Sequence, residues 1–125
     1  MASAVGRPVV LIVEDEWLLR TSGAEMVADA GFEVVEAGNA DEAIAILEAR
    51  TDIRIVFTDI QMPGSMDGLR LARFVRDRWP PIELVATSGR VTITEGDLPE
   101  RGVFIPKPYT AATIAEVFGS LAGPP

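Results

Sequence analysis

Val9-Val10-Leu11-Ile12-Val13-Glu14-Asp15-Glu16 is the stretch on which the fold turns. An unbroken apolar string, most of it β-branched, runs straight into three acids. A strand wet on one face alternates apolar and polar side chains. One without alternation is covered on both faces, as parallel strands are when helices cross over each side. Four further runs of strand character follow: Glu33–Ala37, Ile55–Thr58, Glu83–Thr87 and Val103–Ile105. Helix-like segments separate them. This alternation predicts an α/β fold, a doubly wound parallel five-stranded (βα)5 sheet with right-handed crossovers. The 125 residues leave room for one such domain, residues 1–125 with its core in 9–121.

The intervening segments carry helical punctuation. Leu19, Gly23, Met26, Val27 and Ala30 follow helical spacing, and Gly31 stands where a left-handed C-terminal cap belongs. Asn39 with Glu42 three residues on forms a capping signature ahead of Ala40, Ala43, Ile44 and Leu47. A third stripe joins Gly68, Ala72, Val75 and Trp79 and is stopped by Pro80-Pro81; a fourth, after Thr110, joins Ile114, Val117, Phe118 and Leu121. Trp17 and Trp79 read as packing residues. Residues Val91–Arg101 have no apolar stripe of helical period, so the helix expected between the fourth and fifth strands is short or irregular. Gly123-Pro124-Pro125 reads as a frayed end.

Composition excludes whole classes of function. The net charge is −8, and the basic footprint that phosphate backbones require is missing, so nucleic-acid binding by this chain is not expected. With no cysteine and no histidine, thiolate chemistry, a histidine-based triad and a histidine-ligated metal all fall away. Any metal must be held by oxygen, which favours hard ions such as Mg²⁺. No apolar run is long enough to span a bilayer, and the first residues lack a signal-peptide core, which makes the cytoplasm the expected location and a membrane role unexpected.

The acids are placed where ligands gather. Glu14, Asp15 and Glu16 follow the first strand and Asp59 follows the third. If the strand order is the flavodoxin-like 2-1-3-4-5, the order reverses between those two strands, and α/β sheets bind ligands at such a point. Converging carboxylates repel, and the remedies are a divalent cation, a basic side chain or protonation. Any one of these acids alone reads equally well as a solvated loop residue or a helix cap. However, Ser88-Gly89 closes the fourth strand and Lys107-Pro108 the fifth. The strand ends therefore offer acid, acid, hydroxyl and ammonium. A carboxylate can attack phosphorus, and phosphoryl transfer then needs charge neutralised on the equatorial oxygens. Mg²⁺ can serve one oxygen, Lys107 a second and Ser88 a third.

Four segments carry a family resemblance: Leu11-Ile12-Val13-Glu14-Asp15-Glu16, Val56-Phe57-Thr58-Asp59-Ile60-Gln61-Met62-Pro63, Ala86-Thr87-Ser88-Gly89 and Phe104-Ile105-Pro106-Lys107-Pro108-Tyr109. In this order the chain resembles the response-regulator receiver domains of two-component signalling, from Val9 to Leu121. The resemblance implies Asp59 as the phosphorylated aspartate and Asp15 as a direct Mg²⁺ ligand, with Glu14 acting through water. It implies that Gln61 lends its main-chain carbonyl to the metal. Ser88 matches the hydroxyl that turns toward the phosphoryl group, Phe104 the aromatic that changes rotamer with it, and Lys107 the family's lysine, whose bond to proline is cis in relatives. Phe104 is equally readable as plain core.

Two departures stand out. The loop Met62–Gly68 is one residue longer than the usual form, and the interval between Ser88 and Lys107 is short, the shortage falling in Val91–Arg101. The latter is similar to atypical receivers in which the fourth helix is reduced. It leads to the expectation that phosphorylation reshapes Val91–Arg101.

The implied partners are a sensor histidine kinase or a histidine phosphotransfer protein. The output would be protein binding, a phosphorylation-dependent dimer, or service as a phosphate sink or relay. Such a chain promotes its own phosphorylation and hydrolysis without turning over a separate substrate, so it is not expected to be an enzyme. Three rivals have weaker support. A phosphorylation-independent interaction module would more often have lost part of the Asp15, Asp59, Ser88 and Lys107 set. An aspartyl-phosphate hydrolase would carry a second Asp where Gln61 stands. A nucleotide or flavin binder would show a glycine-rich loop after the first strand.

Overall fold

The computed structural model describes residues 7–90, 93 and 95–122. The elements in chain order are β1 (Val9–Val13), α1 (Trp17–Asp29), β2 (Glu33–Ala37), α2 (Ala40–Ala49), β3 (Ile53–Asp59), α3 (Gly68–Arg78), β4 (Glu83–Ser88), β5 (Val103–Pro106) and α4 (Ala111–Ala122). All strand pairs are parallel, in the order β2-β1-β3-β4-β5. The doubly wound fold and the reversal between β1 and β3 are those expected. β3 starts two residues earlier than its apolar run and closes on Asp59 itself.

The two faces of the sheet follow from strand alternation. On one, Val10, Ile12, Ile55, Phe57, Val85 and Ile105 meet Val27 of α1 and Ile114 and Phe118 of α4. On the other, Leu11, Val13, Val56 and Leu84 meet Ala43 and Leu47 of α2 and Leu71 and Val75 of α3. The local signals act as anticipated. Asn39 Oδ1 accepts the Glu42 N–H at 2.9 Å, and Glu42 returns a bond to the Gly38 N–H at 2.7 Å. Thr110 Oγ1 accepts the Thr113 N–H at 3.1 Å, and Gly31 takes φ +104°. Asp67 caps α3 by accepting from the Arg70 N–H.

Trp79 packs as expected, half-buried beneath the Arg78 guanidinium, which lies 4.7 Å from its ring centroid. Trp17 does not. It is 66% exposed, with Leu18 and Leu19 also exposed, because the first turn of α1 overhangs the strand ends, where no sheet remains to cover it.

The β4–β5 connection carries one short 3₁₀ turn, Glu95–Asp97, among its described residues; Val91, Thr92 and Thr94 lie outside them. Two arginines of α3 hold this connection from below. Arg73 donates to the Asp97 carbonyl at 3.2 Å and Arg76 to that of Glu100 at 3.1 Å. Leu98 plugs into a small cluster with Ile60, Ala86 and the partly buried Phe104.

Candidate functional site

Side-chain alternation also builds the site. The residues of β1, β3 and β5 that face α1 and α4 end, at the next position of the same parity, in Glu14, Asp59 and Lys107. The Lys107 Nζ lies 3.0 Å from Glu14 Oε1 and 3.4 Å from Asp59 Oδ2. Both carboxylates are buried, at 5% and 7% exposure, so their joint charge depends on this ammonium. Asp15 remains exposed beside them. Ligand oxygens of Glu14, Asp15 and Asp59 all fall within 4.8 Å of one another, the geometry of a hard-cation site.

Backbone bonds fix the frame around these groups. Glu14 Oε2 accepts the Glu16 N–H at 3.2 Å, and Asp59 Oδ1 accepts the Gln61 N–H at 3.4 Å. The Ile60 N–H donates to the Thr87 carbonyl at 2.9 Å and the Gly68 N–H to the Ile60 carbonyl at 2.8 Å, so the turn after Asp59 is braced by both β4 and α3. Arg20 braces the other side, donating to the Glu14 carbonyl at 2.8 Å while pairing with Glu36.

Burial pushes the Glu14 carboxyl above its ordinary range; the bonds from Lys107 and the Glu16 N–H pull it back, and the charge of Asp59 raises it further. For Lys107, burial acts downward, but its bond to Glu14 and the charges of Asp59 and Glu14 outweigh that, and the ammonium is held above its usual value. Burial likewise raises the Tyr109 phenol.

A cleft of ≈ 410 Å³ opens over these groups, lined by Asp15, Asp59, Gln61, Arg90 and Lys107 among others. Ser88 stands at its edge, buried, with its hydroxyl 3.4 Å from Gln61 Oε1 and accepting the Arg90 N–H at 3.2 Å. The Lys107–Pro108 bond is cis. Glu14, Asp15, Asp59, Gln61, Ser88 and Lys107 therefore meet at one end of the sheet. Phe104 stands apart from the carboxylates, one layer behind, against Ile60, Ala86 and Leu98.

Thr87 has no role in the sequence pattern beyond its place in the Ala86–Gly89 segment. It sits opposite Asp59 in the β3–β4 register and is 3% exposed. The available signal was its position two residues after Val85, on the same side of β4.

Comparisons with known proteins identify the family. The family model for the response regulator receiver domain matches residues 10–118. Sensor kinase CckA of Brucella abortus (strain 2308) is 34% identical over 114 residues, covering 88% of this chain and 12% of that protein. Response regulator protein FleR of Pseudomonas aeruginosa is 32% identical over 111 residues, covering 86% of this chain and 23% of that protein. The chain thus spans under a quarter of the length of these two curated relatives. A response regulator receiver protein from Sinorhizobium medicae WSM419 superposes with a TM-score of 0.86 at 26% identity, over 94% of this chain and 95% of that one. The receiver domain of hybrid histidine kinase CckA superposes at 0.78 and 29% identity, over 92% and 99%. A half-buried lysine bridging two buried strand-end carboxylates, on a sheet of this order and with these relatives, leaves one assignment: the chain belongs to the response regulator receiver family.

Proposed function

We propose that Asp59 accepts a phosphoryl group, with Mg²⁺ bound beside it, from the phosphohistidine of a sensor histidine kinase or a histidine phosphotransfer protein, and that the change in charge alters which proteins the chain binds. The observation that carries this reading is the Lys107 ammonium poised between two buried carboxylates at the floor of an open cleft. A cation in that place stabilises charge that arrives with a phosphoryl group.

The donor set fits the metal. Asp15 and Asp59, with the main-chain carbonyl of Gln61, would hold the ion directly; Glu14, already bonded to Lys107, would reach it through water. When bound, Mg²⁺ supplies positive charge to an equatorial phosphoryl oxygen. The rest of the chemistry belongs to the chain. An Asp59 oxygen bonds to phosphorus as the donor's nitrogen–phosphorus bond breaks, and the leaving imidazole departs with that bond's electron pair. Lys107, kept in place by Glu14, moves its charge from the Asp59 carboxylate to a phosphoryl oxygen. Ser88 exchanges its contact with Gln61 for another phosphoryl oxygen.

The switch has a route outward, since Phe104 shares a cluster with Ile60, next to Asp59, and with Leu98 of the β4–β5 connection. Leu19 lines both the cleft and an apolar recess of ≈ 480 Å³ shared with Met26, Pro108 and Tyr109, and the exposed Trp17 and Leu18 precede it in the first turn of α1. That rim suits the helices on which a donor histidine is carried. On this reading the chain is its own substrate rather than an enzyme, and the cytoplasm is its place of work; among the described residues no helix is long and apolar enough to cross a membrane.

The test is intact mass after incubation with acetyl phosphate, with and without Mg²⁺, for wild type and Asp59→Asn. One Mg²⁺-dependent phosphoryl adduct, absent from the variant, is expected. No adduct on a folded, Mg²⁺-binding protein would overturn the reading in favour of a module that signals by binding alone.

A further inference from the structure

Two buried side-chain polar atoms among the described residues have no hydrogen-bond partner: Arg76 Nη2 and Thr87 Oγ1. The second lies beside the site. Thr87 faces Asp59 directly in the strand register, is 3% exposed, and has the apolar Phe57 and Ile12 beneath it on the same sheet face. A valine would fill the same volume without a hydroxyl to desolvate, so a threonine here loses hydration and gains nothing unless something answers it. What adjoins it is a small recess of ≈ 10 Å³ bounded by Glu14, Asp59 and Thr87, with Phe57 and the Tyr109 ring closing its apolar sides. That is the room one water molecule needs, and a buried water needs two to four polar partners.

One arrangement satisfies Glu14, Asp59 and Thr87 together. Both carboxylates only accept hydrogen bonds, and a threonine hydroxyl can donate. A water in the recess donates one hydrogen to Asp59 and one to Glu14 and accepts from Thr87, which satisfies every group at once. We propose that the recess binds this single water, and that Thr87 acts through it as a positioning residue for Asp59. The inference rests on the reading of Asp59 as phosphoacceptor. Lys107 restrains Asp59 from the cleft side, and the water restrains it from behind, fixing the plane of the carboxylate that attacks phosphorus.

The experiment pairs diffraction with kinetics. A high-resolution crystal structure of the wild type is expected to show an ordered water within hydrogen-bond distance of Glu14, Asp59 and Thr87. Thr87→Val, nearly isosteric, is expected to fold with an unchanged thermal transition or a higher one and to accept phosphoryl from acetyl phosphate on the order of 10-fold more slowly at saturating Mg²⁺. Thr87→Ser, which keeps the hydroxyl, is expected to stay within about a factor of two of the wild type. An empty recess in the diffraction map overturns the proposal. So does a wild-type rate in Thr87→Val, or a Thr87→Ser variant as slow as Thr87→Val, which would trace the effect to the methyl group. Failure of the wild type to form any adduct overturns the phosphoacceptor reading instead, and the diffraction map still decides the water site.

Discussion

A methyl group at position 68 would be built into the backbone of the strand that carries Asp59. An ideal Cβ on Gly68 lies 2.7 Å from both the Asp59 carbonyl carbon and the Ile60 Cα, and closer still to the Asp59 carbonyl oxygen. Real Cβ atoms essentially never come within 3.0 Å of a heavy atom, and the atoms here are backbone, which cannot swing aside. In Gly68→Ala the start of α3 must retreat by about 1 Å, and close packing passes that shift on to its neighbours. The Gly68 N–H to Ile60 carbonyl bond, 2.8 Å in the native protein, stretches with it. Overpacking of this kind costs about 1–3 kcal/mol. Alanine returns part of the roughly 1 kcal/mol by which it exceeds glycine as a helix former, though at the first residue of a helix the return is small. The net expectation is a loss of about 2 kcal/mol, read as a fall of about 5–10 °C in Tm. The same shift moves the Ile60–Gln61 turn, so phosphorylation at a temperature where the variant is fully folded is expected to slow as well. Calorimetry and intact mass against acetyl phosphate measure the two effects. A variant melting within about 1 °C of the wild type would refute the reasoning, because steric exclusion by backbone leaves no cheap relaxation.

Four further outcomes follow from the geometry. Lys107→Met leaves Glu14 and Asp59 without their shared cation; phosphorylation is expected to fall by about 100-fold or more, while calorimetric Mg²⁺ affinity is held or tightened. Arg76→Ala removes donors to the Glu100, Pro80 and Ile82 carbonyls and is expected to destabilise by about 2–4 kcal/mol, with faster amide exchange at Glu100–Gly102. Trp17→Ala, at an exposed site, is expected to change stability by less than about 0.5 kcal/mol and leave the acetyl phosphate rate intact, while slowing transfer from a protein phosphohistidine donor. Burial raises the Tyr109 phenol above its ordinary value of 10.0, so the folded state keeps that proton longer than the unfolded one; the stability it lends is full below pH 10 and is lost as pH rises through the raised folded value. Tyr109→Phe is expected to flatten that alkaline limb in denaturation curves taken across pH.

The parts of this molecule that were legible are those set by short stretches of sequence. A run such as Val9–Val13 admits few readings besides a strand buried on both faces, and acids attached to its end must then lie at the edge of the sheet. Asn39 and Gly31 act within three or four residues of themselves, so their roles survive the fold unchanged. Features that depend on where one element sits over another were not legible. Trp17 continues the helical stripe of Arg20, Ala24 and Val27, and nothing local says that the sheet has ended beneath it. The grip of Arg73 and Arg76 on the β4–β5 connection joins side chains to main-chain carbonyls, which leave no mark in the sequence. Thr87 looks like any polar residue near a strand end until the register puts it opposite Asp59.

The strand order also explains why the site's cation is a lysine just past the end of β5. Strands are spaced about 4.8 Å apart, so a residue on β5 starts roughly 10 Å from β3 and must reach over the end of β4. A long, flexible stem ending in a compact charge can do this, and a short side chain cannot. The stem of Lys107 passes beside Gly89, where an added Cβ would meet its Cβ and Cδ at 3.5 and 3.8 Å, ordinary contact distances. Gly89 therefore does not have to be glycine for the lysine to pass. What the reach does require is that the end of β4 stay low, and Ser88 and Thr87 keep it so, both small and both buried. The ammonium arrives from the side, leaving the space above Asp59 and Asp15 open to the cleft. A cation carried on β1 or β3 would occupy the ground that the proposed metal and phosphoryl group need. Reaching in from the side, Lys107 offsets part of the carboxylate charge at rest and leaves the site open to more charge.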